Sequence, residues 1–200
     1  MIYKLLSLAL FFAAFMSTAQ AQENFYNYGN IDSEYSLTLP EAPTVKTIWA
    51  DEKNESGEKI AVPYLVNPPE YGAIGEYAFF KRVDPKTGEK FDLKITFLKA
   101  DRDFLISLTR EEMEDTLKKE FEDVTFDKEE ITYSAGSGTL KSAALTGFYT
   151  DTDNNLFFSA AHYLIGQQTL MMLRVNYNVE NPTYRNYYKM MYDTIRYTGQ

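Results

Sequence analysis

The sequence predicts an α+β domain, a mainly antiparallel β-sheet of about six to eight strands with helices packed on it. Three observations predict it. Thr139–Thr150, Leu156–Ile165 and Thr169–Asn178 are β-rich runs separated only by Asp151-Thr152-Asp153-Asn154-Asn155 and Gly166-Gln167-Gln168. Connections that short join antiparallel neighbours, because a parallel crossover needs a dozen residues or more. Tyr77–Val83 and Lys90–Leu98 form a second hairpin pattern around Asp84–Glu89. Two stretches switch to helical period, one opened by Thr109 and one by Asn181.

The first segment is excluded from fold reasoning. Lys4 supplies a positive n-region, Leu5–Met16 an apolar run and Ala19-Gln20-Ala21 a small-x-small site. Met1–Ala21 is therefore expected to be a secretory signal peptide, with residues 22–200 forming one secreted domain and no transmembrane segment after cleavage. The chain contains no Cys, which rules out a lipobox cysteine, disulfides and thiolate chemistry. The net charge is −9, and it becomes −10 without the signal segment because Lys4 is the only charge removed. An acidic surface argues against nucleic acid, whose affinity rests on neutralising phosphates with Lys and Arg. It argues equally against anionic lipid head groups. The 14 Phe and 16 Tyr are expected to supply the packing that disulfides do not.

Along the mature chain, Gln22–Ile31 lacks a clear period and reads as a loosely docked N-terminal segment. Glu34–Pro40 alternates, with Tyr35, Leu37 and Leu39 on one face, and Pro40 and Pro43 end it. Val45–Ala50 is an expected strand carrying the only Trp, Trp49. Ile60–Val66 is strand-like but contains Pro63, which confines it to an edge or a bulge. Asn67–Gly75 reads as a long loop, with Pro68, Pro69, Gly72 and Gly75. In the following hairpin Phe91, Leu93, Ile95 and Phe97 alternate with Asp92, Lys94 and Thr96, the pattern of a half-buried strand.

Thr109 and Glu112 form a capping box, and Met113, Leu117 and Phe121 recur every fourth residue to make one buried stripe. Ile131–Ser134 is strand-like and Ala135–Gly138 a turn. In the meander, the first two strands carry apolar residues on both faces, as strands covered on both sides do. The third alternates, placing Thr169, Met171, Leu173, Val175 and Tyr177 opposite Arg174, Asn176 and Asn178. Asn181 as N-cap and Pro182 at the first helical position open the last helix. Its stripe is Tyr184, Tyr188, Met191 and Ile195, with Tyr187 beside it.

No pattern of diagnostic catalytic chemistry is present. His162 is the only histidine, and it shares a strand face with Phe158, Ala160 and Leu164, the setting of a satisfied core imidazole. Gly136-Ser137-Gly138 lacks nucleophile-elbow spacing. Asp151–Asn155 begins like a calcium loop, but Leu156 stands where that loop needs glycine and His162 where it needs glutamate. An ordinary turn is expected there. Glu111, Glu112, Glu114 and Asp115 suit a solvated helix start. Asn54-Glu55-Ser56 matches a glycosylation sequon. No cofactor is expected, since P-loop, dinucleotide and metalloprotease signatures are absent. The candidate ligand-binding residues are Trp49, Tyr64 and Tyr71, an aromatic surface beside Pro68 and Pro69.

The Tyr-x-Leu-x-Leu-Pro opening (Tyr35, Leu37, Leu39, Pro40), an early hairpin, a mid-chain amphipathic helix, three long antiparallel strands and a closing helix resemble the PsbP-like α/β/α sandwich family. The resemblance is one of pattern across most of the mature chain and transfers no functional residue. It implies an adaptor or binding role, since members of that family are mostly non-enzymatic. The long Asn67–Gly75 loop and the extra Tyr77–Leu98 hairpin depart from the family pattern. The expected function is a non-catalytic exported binding or accessory protein, secreted, and periplasmic if the source is a Gram-negative bacterium, with a protein partner in the cell envelope. Two competing readings are an envelope polymer hydrolase and a small-molecule carrier. The first needs two carboxylates about 5–10 Å apart in a cleft, and the second an apolar pocket between sheet and helix.

Overall fold

The computed structural model describes residues 25–29, 34–50, 72–135 and 141–199. Met1–Ala21, the Asn54 sequon, Ile60–Val66, Pro68, Pro69, Tyr64, Tyr71 and Gly136–Gly138 lie outside them. The elements run β1 (Tyr26–Gly29), β2 (Tyr35–Leu39), β3 (Thr44–Trp49), β4 (Ala73–Val83), β5 (Lys90–Lys99), α1 (Arg102–Ser107) and α2 (Arg110–Lys119). They continue with β6 (Lys128–Ala135), β7 (Lys141–Thr150), β8 (Leu156–Ile165), β9 (Thr169–Asn178), α3 (Pro182–Thr194) and β10 (Arg196–Tyr197). The fold is α+β, as expected. Seven strands form one antiparallel sheet in the order β3-β4-β5-β9-β8-β7-β6, and β1-β2-β10 form a small second sheet.

Two cores lie on opposite faces of the large sheet. On the first, Phe91, Leu93, Ile95 and Phe97 of β5 and Met171, Leu173, Val175 and Tyr177 of β9 meet the small sheet and α3. Each side chain fully buried there contributes on the order of 1.5–3 kcal/mol. On the second, α1 and α2 place Leu105, Met113 and Leu117 against Ala143, Leu145, Ala161 and Tyr163. The helix starts follow from their caps. Thr109 accepts the Glu112 backbone N–H while the Glu112 carboxylate accepts that of Thr109. The Asn181 side chain accepts from the Thr183 and Tyr184 N–H groups at 3.1 and 3.2 Å.

Several expectations need correction. The N-terminal segment is not loose: β1 pairs with β2 through Tyr26–Gly29, and Tyr28 is buried against Phe97. Ala73–Gly75 belongs to strand β4 rather than to the preceding loop, and the pairing with β3 is irregular at Ile48/Trp49. β7 is buried on one face only, and Phe148 on its other face is exposed, because β7 lies next to the edge and neither α3 nor the small sheet extends over it. Tyr187 is more deeply buried than Tyr188 on α3. Helix α1 is an addition that no long period announced, since its six residues fall short of two turns.

Candidate ligand-binding groove

Helices α1 and α2 cover the second face only over β7 and β8 and their flanks. Among the described residues, no helix packs on that face over β3, β4 and β5. Its side chains are fixed by strand alternation: β5 buries its odd-numbered residues in the first core, so Asp92, Lys94 and Thr96 emerge on the other side. Pairing then sets three rungs across the sheet. The central rung is Thr44, Phe79, Lys94 and Arg174. On one side lie Lys46, Tyr77, Thr96 and Met172, and on the other Lys81, Asp92 and Asn176.

These rungs enclose a groove of about 400 Å³, lined chiefly by Lys46, Tyr77, Phe79, Lys94, Arg174 and Asn176. The Tyr77 and Phe79 rings stack at 5.9 Å and 25°. Lys46 Nζ stands 5.9 and 5.8 Å from the two ring centroids, an arrangement that favours a cation near π-systems. The Arg174 guanidinium lies 4.8 Å from the Phe121 ring centroid and 3.8 Å from the Glu120 carboxylate, which anchors it at the C-terminal end of α2. The Asn176 amide is held from behind. Its oxygen accepts from Ser159 at 3.0 Å and its nitrogen donates to the Tyr149 hydroxyl at 3.1 Å. Burial raises the Tyr149 phenol and keeps it neutral.

The charge balance of the groove opposes that of the chain. Lys81 and Asp92 are 3.9 Å apart, a long and exposed pair. Among the described residues Lys46 and Lys94 have no carboxylate within ion-pair distance. Lys94 and Arg174 stand directly opposite each other on adjacent strands, a like-charge pair that costs stability in a sheet and that Glu120 offsets at Arg174 alone.

The other residues singled out in the sequence are distributed elsewhere. Trp49 is 51% exposed at the end of β3 and does not line the groove. His162 is buried, with Nε2 3.0 Å from the Tyr188 hydroxyl, and apolar burial pushes its pKa down to about 4. Asp151 caps an ordinary turn, accepting from the Asp153 and Asn155 N–H groups at 2.9 and 2.8 Å, with Asn154 at φ +64°. Among the described residues no cluster of His, Asp and Glu is suited to a metal ion. None of their helices is long and apolar enough to cross a membrane.

No protein-family model and no curated protein matches the chain. Among solved structures, it is similar to LpqN, described as involved in cell envelope biogenesis of Mycobacterium tuberculosis. That likeness covers 86% of this chain and 89% of LpqN, at 11% sequence identity and a TM-score of 0.38.

Proposed function

We propose that the mature chain is a non-catalytic exported binding protein that holds a small anionic ligand in the groove on this sheet face. The observation that supports this reading is the pairing of Lys46 and Lys94 with a stacked Tyr77–Phe79 pair, in a chain of net charge −9. Cations concentrated against the overall charge create a local potential that recruits small anions, while the surrounding field turns away extended polyanions. Export rests on the Met1–Ala21 pattern: residues 22–200 would be secreted as one domain, into the periplasm if the source is Gram-negative. The PsbP-like arrangement belongs to the same proposal, with α3 and the small sheet on one face and α1 and α2 on the other as its outer layers.

The test is thermal shift of the mature protein with a panel of small anions and neutral analogues, repeated on the Lys46→Gln/Lys94→Gln variant. Ligands that bind only the folded state raise the midpoint by mass action. Anions are expected to raise it in the wild type and not in the variant. A panel in which no anion outperforms its neutral analogue removes the reading. Export is checked by the N-terminal residue of the secreted protein, expected to be Gln22.

A further inference from the structure

We infer that the ligand is a small, soluble, ring-bearing phosphate monoester, with its phosphate between Lys94 and Arg174 and its ring against the Tyr77–Phe79 pair. The inference rests on the binding reading above and specifies its ligand.

Charge number is the first ground. Four cations, Lys46, Lys81, Lys94 and Arg174, face two carboxylates in pairing range, Asp92 and Glu120. The surplus of two positive charges matches a phosphate monoester near neutral pH and exceeds what a single carboxylate needs. Donor type is the second ground. Arg174 brings a planar fork that can grip two phosphate oxygens, and Lys94 beside it brings a compact point charge. The Phe121 ring 4.8 Å away and the Glu120 carboxylate hold the guanidinium at this position before any ligand arrives.

Spacing is the third ground. Phe79, Lys94 and Arg174 follow one another on the central rung. Neighbouring strands are about 4.8 Å apart, so the midpoint of the two cations lies about 7 Å from Phe79. A phosphate borne on or next to a single ring extends from between the cations toward Phe79, and a bare phosphate does not. Groove size agrees, since about 400 Å³ accommodates a one-ring ester and not a polymer.

The experiment is isothermal titration of the mature protein at fixed ionic strength with phenyl phosphate, inorganic phosphate, benzoate and phenol. Phenyl phosphate is expected to bind about tenfold more tightly than inorganic phosphate or benzoate, a difference of ~1.4 kcal/mol. K94Q should weaken both phosphates. Phe79→Leu, which retains a packed apolar side chain, should lower phenyl phosphate to the level of inorganic phosphate and leave the latter unchanged. Its retained phosphate binding also reports an intact fold. Benzoate equal to phenyl phosphate overturns the phosphate assignment while leaving the anion-binding function standing. Phenol equal to every anion, with K94Q silent, overturns both. Sedimentation with phosphatidylcholine vesicles only when they contain phosphatidic acid, lost in K94Q, overturns the soluble ligand in favour of a lipid head group.

Discussion

Glu34 fastens the small sheet to the β8–β9 turn: its carboxylate accepts the Gln167 backbone N–H at 2.9 Å and that of Gln168 at 3.1 Å. Its own carbonyl accepts from Thr198 at 2.6 Å, and its φ is +52°. Two backbone donors would otherwise be left without this partner. Glu34→Ala is expected to cost about 1–3 kcal/mol, read as a lower urea midpoint with an unchanged slope. Gly166→Ala should act at the same contact, because an added Cβ would collide with the Glu34 carboxylate. An unchanged midpoint in both variants would refute the role of this bridge.

His162 makes stability depend on pH. It is buried against Tyr188 and Tyr192, with Leu173 and Ala144 across the strands, and among the described residues no charged group supports its protonated form in that core. Its folded pKa is pushed down to about 4 from an ordinary 6.5. Above pH 6.5 both states are neutral and the group contributes no pH dependence. Between 6.5 and 4 the unfolded chain takes up the proton first, so stability falls as pH falls, by up to ~1.4 kcal/mol per unit. His162→Phe should show a shallower decline over that window in urea titrations at pH 7, 5.5 and 4. Parallel profiles for the two proteins would contradict the assignment.

Thr109→Ala removes the side-chain half of the α2 capping box, while the backbone N–H of residue 109 can still donate to Glu112, and should lower stability by ~1 kcal/mol. The effect should be smaller in acid. Hydrogen bonds from the Thr109 backbone and side chain hold the Glu112 carboxyl below its ordinary pKa, so that contribution fades as the carboxylate protonates. Thermal midpoints of the two proteins at pH 7 and pH 3 should therefore converge. A constant difference would locate the effect elsewhere.

Gly147 lies under the Phe126 ring on β7, and a Cβ there would strike the ring and approach the Lys128 carbonyl at 2.9 Å. Gly147→Ala should cost about 1–3 kcal/mol. Combined with Phe126→Leu the loss should be less than additive, because the two changes relieve one collision. Strict additivity in a double-mutant cycle would show that the ring is not the obstacle.

The meander, both long capped helices and the hairpin were legible in the sequence because each is a local pattern read over ten or so residues. The groove was not. Asp92, Lys94 and Thr96 stood out as the polar face of one strand, and Arg174 and Asn176 as that of another. Each set taken alone looks like an ordinary solvated surface. Only the β5–β9 pairing sets Lys94 beside Arg174, across 80 positions of chain, and strand order is not encoded in hydrophobic period. Lys46, on the far side of β4, joins through the same ordering. Of the aromatic surface anticipated around Trp49, Tyr64 and Tyr71 lie outside the described residues, and Trp49 does not line the groove. Tyr28 was missed because a four-residue strand with one buried side chain has no periodicity to detect.

The small sheet also sets the order in which this protein can finish folding. β2 lies between β1 and β10, the first and last strands of the described residues. Helix α3 packs across β2, and Thr194 accepts the Thr38 backbone N–H at 2.9 Å. During synthesis β1 and β2 therefore wait for α3 and β10 to be made, with Leu37, Leu39 and Phe91 less fully covered until then. Such distant closure is slow relative to local pairing. The interval is one in which the chain stays open to a chaperone, and a polypeptide cut before Asn181 never leaves it.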